Sequence, residues 1–164
     1  MDGHDDLFES RTGAVRVARF GAVFAGIYRA PLIAEASEEL RVWQGPVMPD
    51  EPIAQFSLAF GVHRLAPEVQ AAADRVLTAY GPRTCVSATV LVASGFQASA
   101  ARAMLSTLYL LTRVAYPRRV FASVAEAESW LSSLGKYRKS IAASARWLTV
   151  AEAAESAAGV AARR

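Results

Sequence analysis

The spacing of hydrophobic positions predicts that short strands alternate with helices along this chain. Apolar residues alternate with other residues in AVRVARFGAVFAGIYRA, which predicts two strands joined by a tight turn at Gly21. Helical spacing begins after Pro31 and again after Pro67, and the two runs stop at Gly45 and Gly81, each of which precedes a proline. Between these helices, IAQFSLAFGV alternates again and predicts a third strand. The first half therefore predicts the order strand, strand, helix, strand, helix.

The second half predicts a buried strand, a broad helix, a short strand and a further helix. TCVSATVLVAS is nearly continuous in apolar and β-branched residues, as is typical of an interior strand covered on both faces. A helix over residues 96–114 carries so wide an apolar stripe that we expect it to be buried or to contact a partner. The short strand YPRRVFA ends at Ser123, which forms a capping-box pattern with Glu126 and starts a fourth helix. Trp130 and Leu134 are expected to face the core from that helix.

These elements predict an α/β domain with a mixed sheet of four to five strands, helices packed on it, and the order ββαβαβαβα. Residues 1–12 are predicted to be an acidic flexible tail, and residues 13–134 form the predicted α/β domain. Residues 135–164 are rich in alanine and predict a helical C-terminal extension. A second capping-box pattern at Thr149 and Glu152 suggests a break in that helix. The extension has few apolar residues, so its first half is expected to dock on the domain or on another chain.

Length and composition fit one globular domain and exclude several classes of protein. The chain has 164 residues, of which 53% are hydrophobic and 20% charged, and no segment offers the roughly 20 clean apolar residues of a membrane helix. The first residues are acidic, the reverse of a signal or transit peptide, so we expect a cytoplasmic protein. Cys85 is the single cysteine and is expected to be a reduced core thiol. His4 and His63 are too isolated to form a zinc site, so no metal or cofactor is expected.

The charge is distributed unevenly along the chain. Residues 1–82 contain 11 acidic and 7 basic side chains, whereas residues 83–164 contain 4 acidic and 11 basic ones. The formal net charge of +3 is therefore the sum of −4 and +7. Two clusters hold most of the basic excess: Arg113, Arg118 and Arg119, then Lys136, Arg138, Lys139 and Arg146. They fit either a solvated face or contact with phosphate or an acidic partner, and sparse aromatic interleaving makes nucleic acid an unlikely ligand.

The break at Ser94 and Gly95 resembles two kinds of catalytic or binding turn without matching either. A hydrolase elbow needs glycines two positions before and after the serine, where this chain has Val92 and Phe96. The glycine-rich patterns of phosphate-binding and dinucleotide-binding loops are absent around Gly95. The free amides at the start of the following helix are then the one feature of this turn that could bind an anion. With no histidine placed to act as a base, the sequence predicts a protein that is not an enzyme.

The order of elements and two stretches of sequence resemble the STAS family, and above all small bacterial STAS-like proteins. The resemblance covers residues 13–134. It is most specific in ASGFQASAARAML through YPRRVFASVAEAESWL, where a late strand, a helix, a short strand with Arg-Val-Phe and an Ala-Glu-rich helix ending in Trp-Leu follow in order. The best-known members of this family are bacterial anti-sigma factor antagonists. The resemblance therefore implies a regulatory domain that binds another protein and has no catalytic centre.

The resemblance also implies a docking surface, with one departure from the family pattern. Classical members are switched by phosphorylation of a serine at the start of the helix after the third strand, but here the turn from Gly61 to Ala72 contains neither serine nor threonine. We therefore expect protein binding without the phosphoserine switch. The expected contact residues in this turn and along a basic edge are His63, Arg64, Leu65, Pro67, Arg113, Arg118 and Arg119.

Binding of a small molecule or lipid is the alternative function. It is suggested by the topological likeness between STAS domains and lipid-transfer domains of the CRAL-TRIO type. An apolar pocket beside the predicted 96–114 helix would be lined by Phe96, Met104, Leu108, Tyr109 and Leu111. A stripe of this width is also typical of a buried helix or of a subunit contact, so self-association stays open as well.

Overall fold

A mixed six-stranded sheet forms the centre of the molecule, and helices cover its two faces. The computed structural model describes residues 4–61, 66–92 and 114–161. The strands are β1 (Asp6–Glu9), β2 (Val15–Phe20), β3 (Val23–Arg29), β4 (Ile53–Phe60), β5 (Thr84–Val92) and β6 (Arg118–Phe121). The helices are α1 (Ala34–Val47), α2 (Pro67–Tyr80), α3 (Val124–Ser133) and α4 (Arg138–Ala161), with one 3₁₀ turn at Gly81–Arg83. The predicted α/β class is confirmed, whereas the predicted 96–114 helix lies almost entirely outside the described residues.

The strands lie in the sheet in the same order as in the chain, from β1 to β6. β1, β2 and β3 are antiparallel neighbours, and β3, β4, β5 and β6 run parallel. The carboxyl ends of these four parallel strands therefore meet at one edge of the sheet. Because the order of the described strands never reverses, they form no crevice of the kind in which open α/β sheets bind nucleotides.

Two apolar clusters pack on the two faces of the sheet. The larger lies between the sheet and the pair α3 and α4, and its largest members on the strands are Phe20, Ile27, Phe56, Leu58 and Val90. The smaller lies beneath α1, and its buried members are Val15, Val17, Phe24, Ala36, Leu40 and Ile53. Alternation along β3 explains the division, because Val23, Ala25 and Ile27 face the larger cluster while Phe24 faces the smaller one.

Helix α4 is part of the main core, which confirms that the first half of the C-terminal extension is docked. Ile141, Ala145 and Leu148 recur on one side of the helix and are all buried against the sheet and α3. The predicted break near Thr149 is wrong, because the Thr149 hydroxyl donates to the carbonyl of Ala145 at 2.9 Å and the helix continues. A Thr at a mid-helix position commonly bonds back in this way instead of capping.

The predicted flexible tail is also wrong over Asp6–Glu9, because these residues form β1 and pair with β2. The carboxylates of Asp5 and Asp6 favoured a solvated tail in the sequence, but in the structure they pair with a basic side chain of β2. Arg19 binds Asp6 at 2.5 Å and Asp5 at 3.3 Å. On the other end of β1, the Phe8 ring packs on Trp43 of α1 with 5.5 Å between ring centroids. The sheet therefore has one more strand than the sequence predicted.

Local sequence signals set several element ends. The predicted capping box at α3 is confirmed in one half, because the Ser123 hydroxyl accepts from the Glu126 amide at 3.3 Å. The Glu126 carboxylate accepts from the Ala122 amide at 3.3 Å, whereas the sequence predicted the Ser123 amide. Gly135 has a φ of +79° directly after α3, a conformation that glycine adopts without strain. Gly45, expected to stop α1, instead lies inside its last turn.

Candidate functional site

The start of α2 is the surface at which the STAS resemblance implies docking. β4 ends at Gly61, which has a φ of +64°, and α2 begins at Pro67 with Ala66 as a cap residue whose side chain forms no capping bond. Pro67 and Glu68 are exposed. The other three candidates from this turn, His63, Arg64 and Leu65, lie outside the described residues. Of the four predicted contact residues in this turn, Pro67 is therefore the one with a defined position, in the exposed first turn of the helix.

Helix α2 packs on α1 and leaves most of its own surface exposed. Of its 14 residues, Val69 and Ala72 are the buried ones. Two polar contacts join it to α1: the Tyr80 hydroxyl donates to the carbonyl of Arg41 at 2.5 Å, and Arg75 binds Glu38 at 2.5 Å. A helix attached along one narrow side in this way offers its remaining faces to a partner.

Glu38 joins the two helices through a pair of guanidinium groups. Its carboxylate contacts Arg41 within α1 at 2.8 Å and Arg75 of α2 at 2.5 Å. Hydrogen bonds from Arg41, then from Arg75, lower the pKa of the Glu38 carboxyl. An ionised, half-buried carboxylate held by two arginines is a structural link rather than a general base.

The predicted basic edge is divided between the two faces of the sheet. Arg118 and Arg119 are consecutive in β6, so their side chains point to opposite faces. Arg119 is exposed, and its guanidinium lies over the Trp130 ring of α3 at 5.4 Å from the centroid. Arg118 is half-buried, with its guanidinium 5.6 Å from the centroid of the Tyr116 ring. Arg113 lies outside the described residues, as do all five residues expected to line an apolar pocket: Phe96, Met104, Leu108, Tyr109 and Leu111.

Basic and apolar side chains come together where α3 turns into α4. Leu134, expected in the core, is 44% exposed because α3 ends one residue before it and the chain then turns at Gly135. Lys136, Arg138 and Lys139 follow and are all exposed. Trp130, one helical turn before Leu134, is half-buried beneath Arg119. We use the name basic corner for Arg119, Lys136, Arg138 and Lys139 around Trp130 and Leu134.

The basic corner is anchored to the sheet by Tyr137. The Tyr137 hydroxyl donates to the carbonyl of Pro52, the residue before β4, and the Tyr137 carbonyl accepts from the Ile141 amide at 2.8 Å. Its φ of 55° turns the chain sharply into α4. Lys136 and Arg138, on either side of Tyr137, are therefore held at a fixed place on the surface.

The ion pairs of the described residues are formed by bases outside the basic corner. Each of the following bases contacts a carboxylate: Arg11, Arg16, Arg19, Arg29, Arg41 and Arg75. The four bases of the basic corner form no ion pair with any carboxylate in the described part of the chain. The excess of basic charge in the second half is thus exposed there, and none of the four bases is within ion-pair distance of a carboxylate among those residues.

The centre of the sheet face below α1 carries polar side chains. Gln55 of β4 lies beside Ser87 of β5, and Ser57 lies beside Thr89, so two rows of polar residues cross the two strands. Their neighbours in β3 are Phe24 and Gly26, and neither row includes a histidine or a carboxylate. A hydroxyl without a base in reach is a weak nucleophile, so these rows alone do not provide a catalytic group.

The reactive side chains that the sequence offered are not arranged for catalysis in the described residues. Cys85 is half-buried rather than fully buried as expected, and burial raises the pKa of its thiol while the nearby Lys136 lowers it by a smaller amount. The thiol is therefore protonated at neutral pH and poorly nucleophilic. His4 packs edge-on against Phe20 at 6.3 Å between centroids. No three metal-binding side chains cluster within residues 4–61, 66–92 and 114–161. The turn at Ser94 and Gly95 lies outside these ranges.

Comparison with known proteins adds no further identification. No protein-family model, no curated protein and no solved structure matches this chain. Across the described ranges, none of the helices is both long enough and apolar enough to cross a membrane.

Proposed function

We propose that this chain is a non-catalytic, STAS-like regulatory domain that binds another protein through the exposed surface at the start of α2. It acts without the phosphoserine switch, because the turn before α2 contains no serine or threonine. The observation that carries the proposal is the exposure of α2, which buries two of its 14 residues and packs on α1 instead of being enclosed.

The order of elements supports the STAS-like part of the proposal. From β2 onwards, the described elements follow the order strand, strand, helix, strand, helix, strand, then strand and helix on the far side of residues 93–113. The helix that follows the third of these strands is α2. This is the element that the resemblance assigns to partner docking, and Pro67 marks its exposed start.

Site-specific photo-crosslinking tests this proposal directly. A photoreactive amino acid is placed at Ala71, which is exposed on α2, and in a matched control at Ser129, which is exposed on α3. We expect one discrete crosslinked protein, either another protein or a second copy of this chain, from the α2 position and none from the control position. The absence of a product at Ala71 in the cells that produce the protein, or equal products at both positions, contradicts the proposal.

A further inference from the structure

We propose that the basic corner is a second docking surface and that its partner is an acidic segment of a protein carrying an apolar side chain. The inference rests on the proposed function in treating the domain as an interaction module, but it concerns a surface that shares no residue with α2. Charge complementarity is the main argument. Arg119 lies over Trp130, and three further exposed bases follow the exposed Leu134 within five residues. None of these four bases has a carboxylate partner in the described residues.

The position of two of these bases is unfavourable for the stability of the helix that carries them. Arg138 and Lys139 occupy the first turn of α4, where the helix dipole favours negative charge. The other three helices each have an acidic residue in the first turn, Glu35 in α1, Glu68 in α2 and Glu126 in α3, and α4 has none. The placement of Arg138 and Lys139 is therefore not explained by folding, and binding of an anionic group provides the explanation.

The apolar side chains of the corner favour a protein segment over other polyanions. Leu134 is exposed beside the bases, and an acidic peptide with an apolar residue can cover it while its carboxylates meet Lys136 and Arg138. Nucleic acid binding draws on aromatic side chains that stack with bases. Here the Trp130 ring is already covered by Arg119, and the Tyr137 hydroxyl is bound to the Pro52 carbonyl. An anionic membrane is usually bound by a cluster of about four to eight bases that lies next to a membrane-spanning helix or on an amphipathic helix. The four bases of the corner are instead divided between β6, the turn after α3 and the start of α4, and no described helix could span a membrane.

The test measures binding of a short fluorescent peptide of alternating Glu and Leu by anisotropy at low salt. The variant is Arg138→Glu, and its control is Arg11→Glu, which changes the net charge equally at a side chain that is 92% exposed. We expect the wild type to bind the peptide and to lose affinity as salt rises. Arg138→Glu should weaken binding at least about threefold, whereas the control should change it less than about twofold.

A second measurement separates lost binding from lost folding. Because Arg138→Glu places an acid in the first turn of α4, its melting temperature should rise by about 2 °C while binding falls. Three results overturn the proposal: no peptide binding by the wild type, equal loss in both variants, or tighter binding of duplex DNA or anionic vesicles than of the peptide. Crosslinking at Ala71 is independent of all three, so failure at this surface is distinguishable from failure of the proposed function.

Discussion

Cys85 illustrates how the surroundings of a single side chain decide its chemistry. It lies in β5 where the register with β4 shifts, between Thr84, opposite Ile53, and Val86, opposite Ala54. The sequence predicted a reduced thiol in a strand, and the strand is confirmed. The fully buried position is wrong, because a residue at such an irregularity lacks a direct partner and faces the rim of the core. Alternation alone does not reveal a register shift, since the shift depends on how the neighbouring strand pairs.

The pH dependence of alkylation at Cys85 follows from this position. Burial raises the pKa of the thiol, so the reactive thiolate should form at higher pH in the folded chain than in the chain unfolded by urea. The rate of reaction with iodoacetamide, followed as a function of pH, reports Cys85 alone because the chain has one cysteine. Lys136→Met should move the folded profile to still higher pH, since the lysine lowers the pKa. Coincident profiles for the folded and unfolded chains contradict this prediction.

At the scale of secondary-structure elements, local signals are reliable where they act within the element and fail where they depend on another part of the chain. The Ser123 cap bond and the turn at Gly135 are satisfied locally, and the sequence predicted both. β1 was missed because four residues with two acids resemble a solvated tail until Arg19, 13 positions away, neutralises Asp6. Thr149 was misread for a similar reason, because Leu148 is buried by distant strands and keeps the helix intact there.

The docking of α4 predicts a large difference between two neighbouring positions. Leu148 is fully buried in the main core, whereas Val150 is 71% exposed. Leu148→Ala should lower the free energy of unfolding by about 2–5 kcal/mol because it leaves a cavity. Val150→Ala should change it by about 0.5 kcal/mol or less. Urea denaturation of both variants measures the difference, and similar losses from the two substitutions would show that α4 is not docked through Leu148.

On the scale of the whole molecule, the α/β class follows from the periodicity of the sequence, but the distribution of function over the surface does not. The sequence singled out the basic residues of the second half without showing that β6 splits Arg118 from Arg119. Nor did it show that Trp130 lies under Arg119, because that contact joins a strand to the next helix in three dimensions. The exposure of α2 could not be predicted either, since its apolar stripe is compatible with deeper burial.

The shared core also predicts that the C-terminal extension is needed for folding. A chain truncated after Tyr137 loses Ile141, Ala145 and Leu148 from the cluster that contains β2, β3, β4 and β5. We expect this truncated chain to lose cooperative thermal unfolding, whereas a chain lacking residues 162–164 should retain it. Circular dichroism melting curves measure both. A cooperative transition at an unchanged midpoint in the shorter chain would mean that residues 13–134 fold without α4.

The two outer strands of the sheet have a consequence for how the molecule behaves at high concentration. β1 and β6 are each four residues long, and each carries two charged side chains. An outer strand with free amides and carbonyls is a template for pairing with another chain, and short, charged strands suppress that pairing. Neighbouring molecules are therefore poor templates for one another, and the protein is protected from aggregating by adding strand to strand.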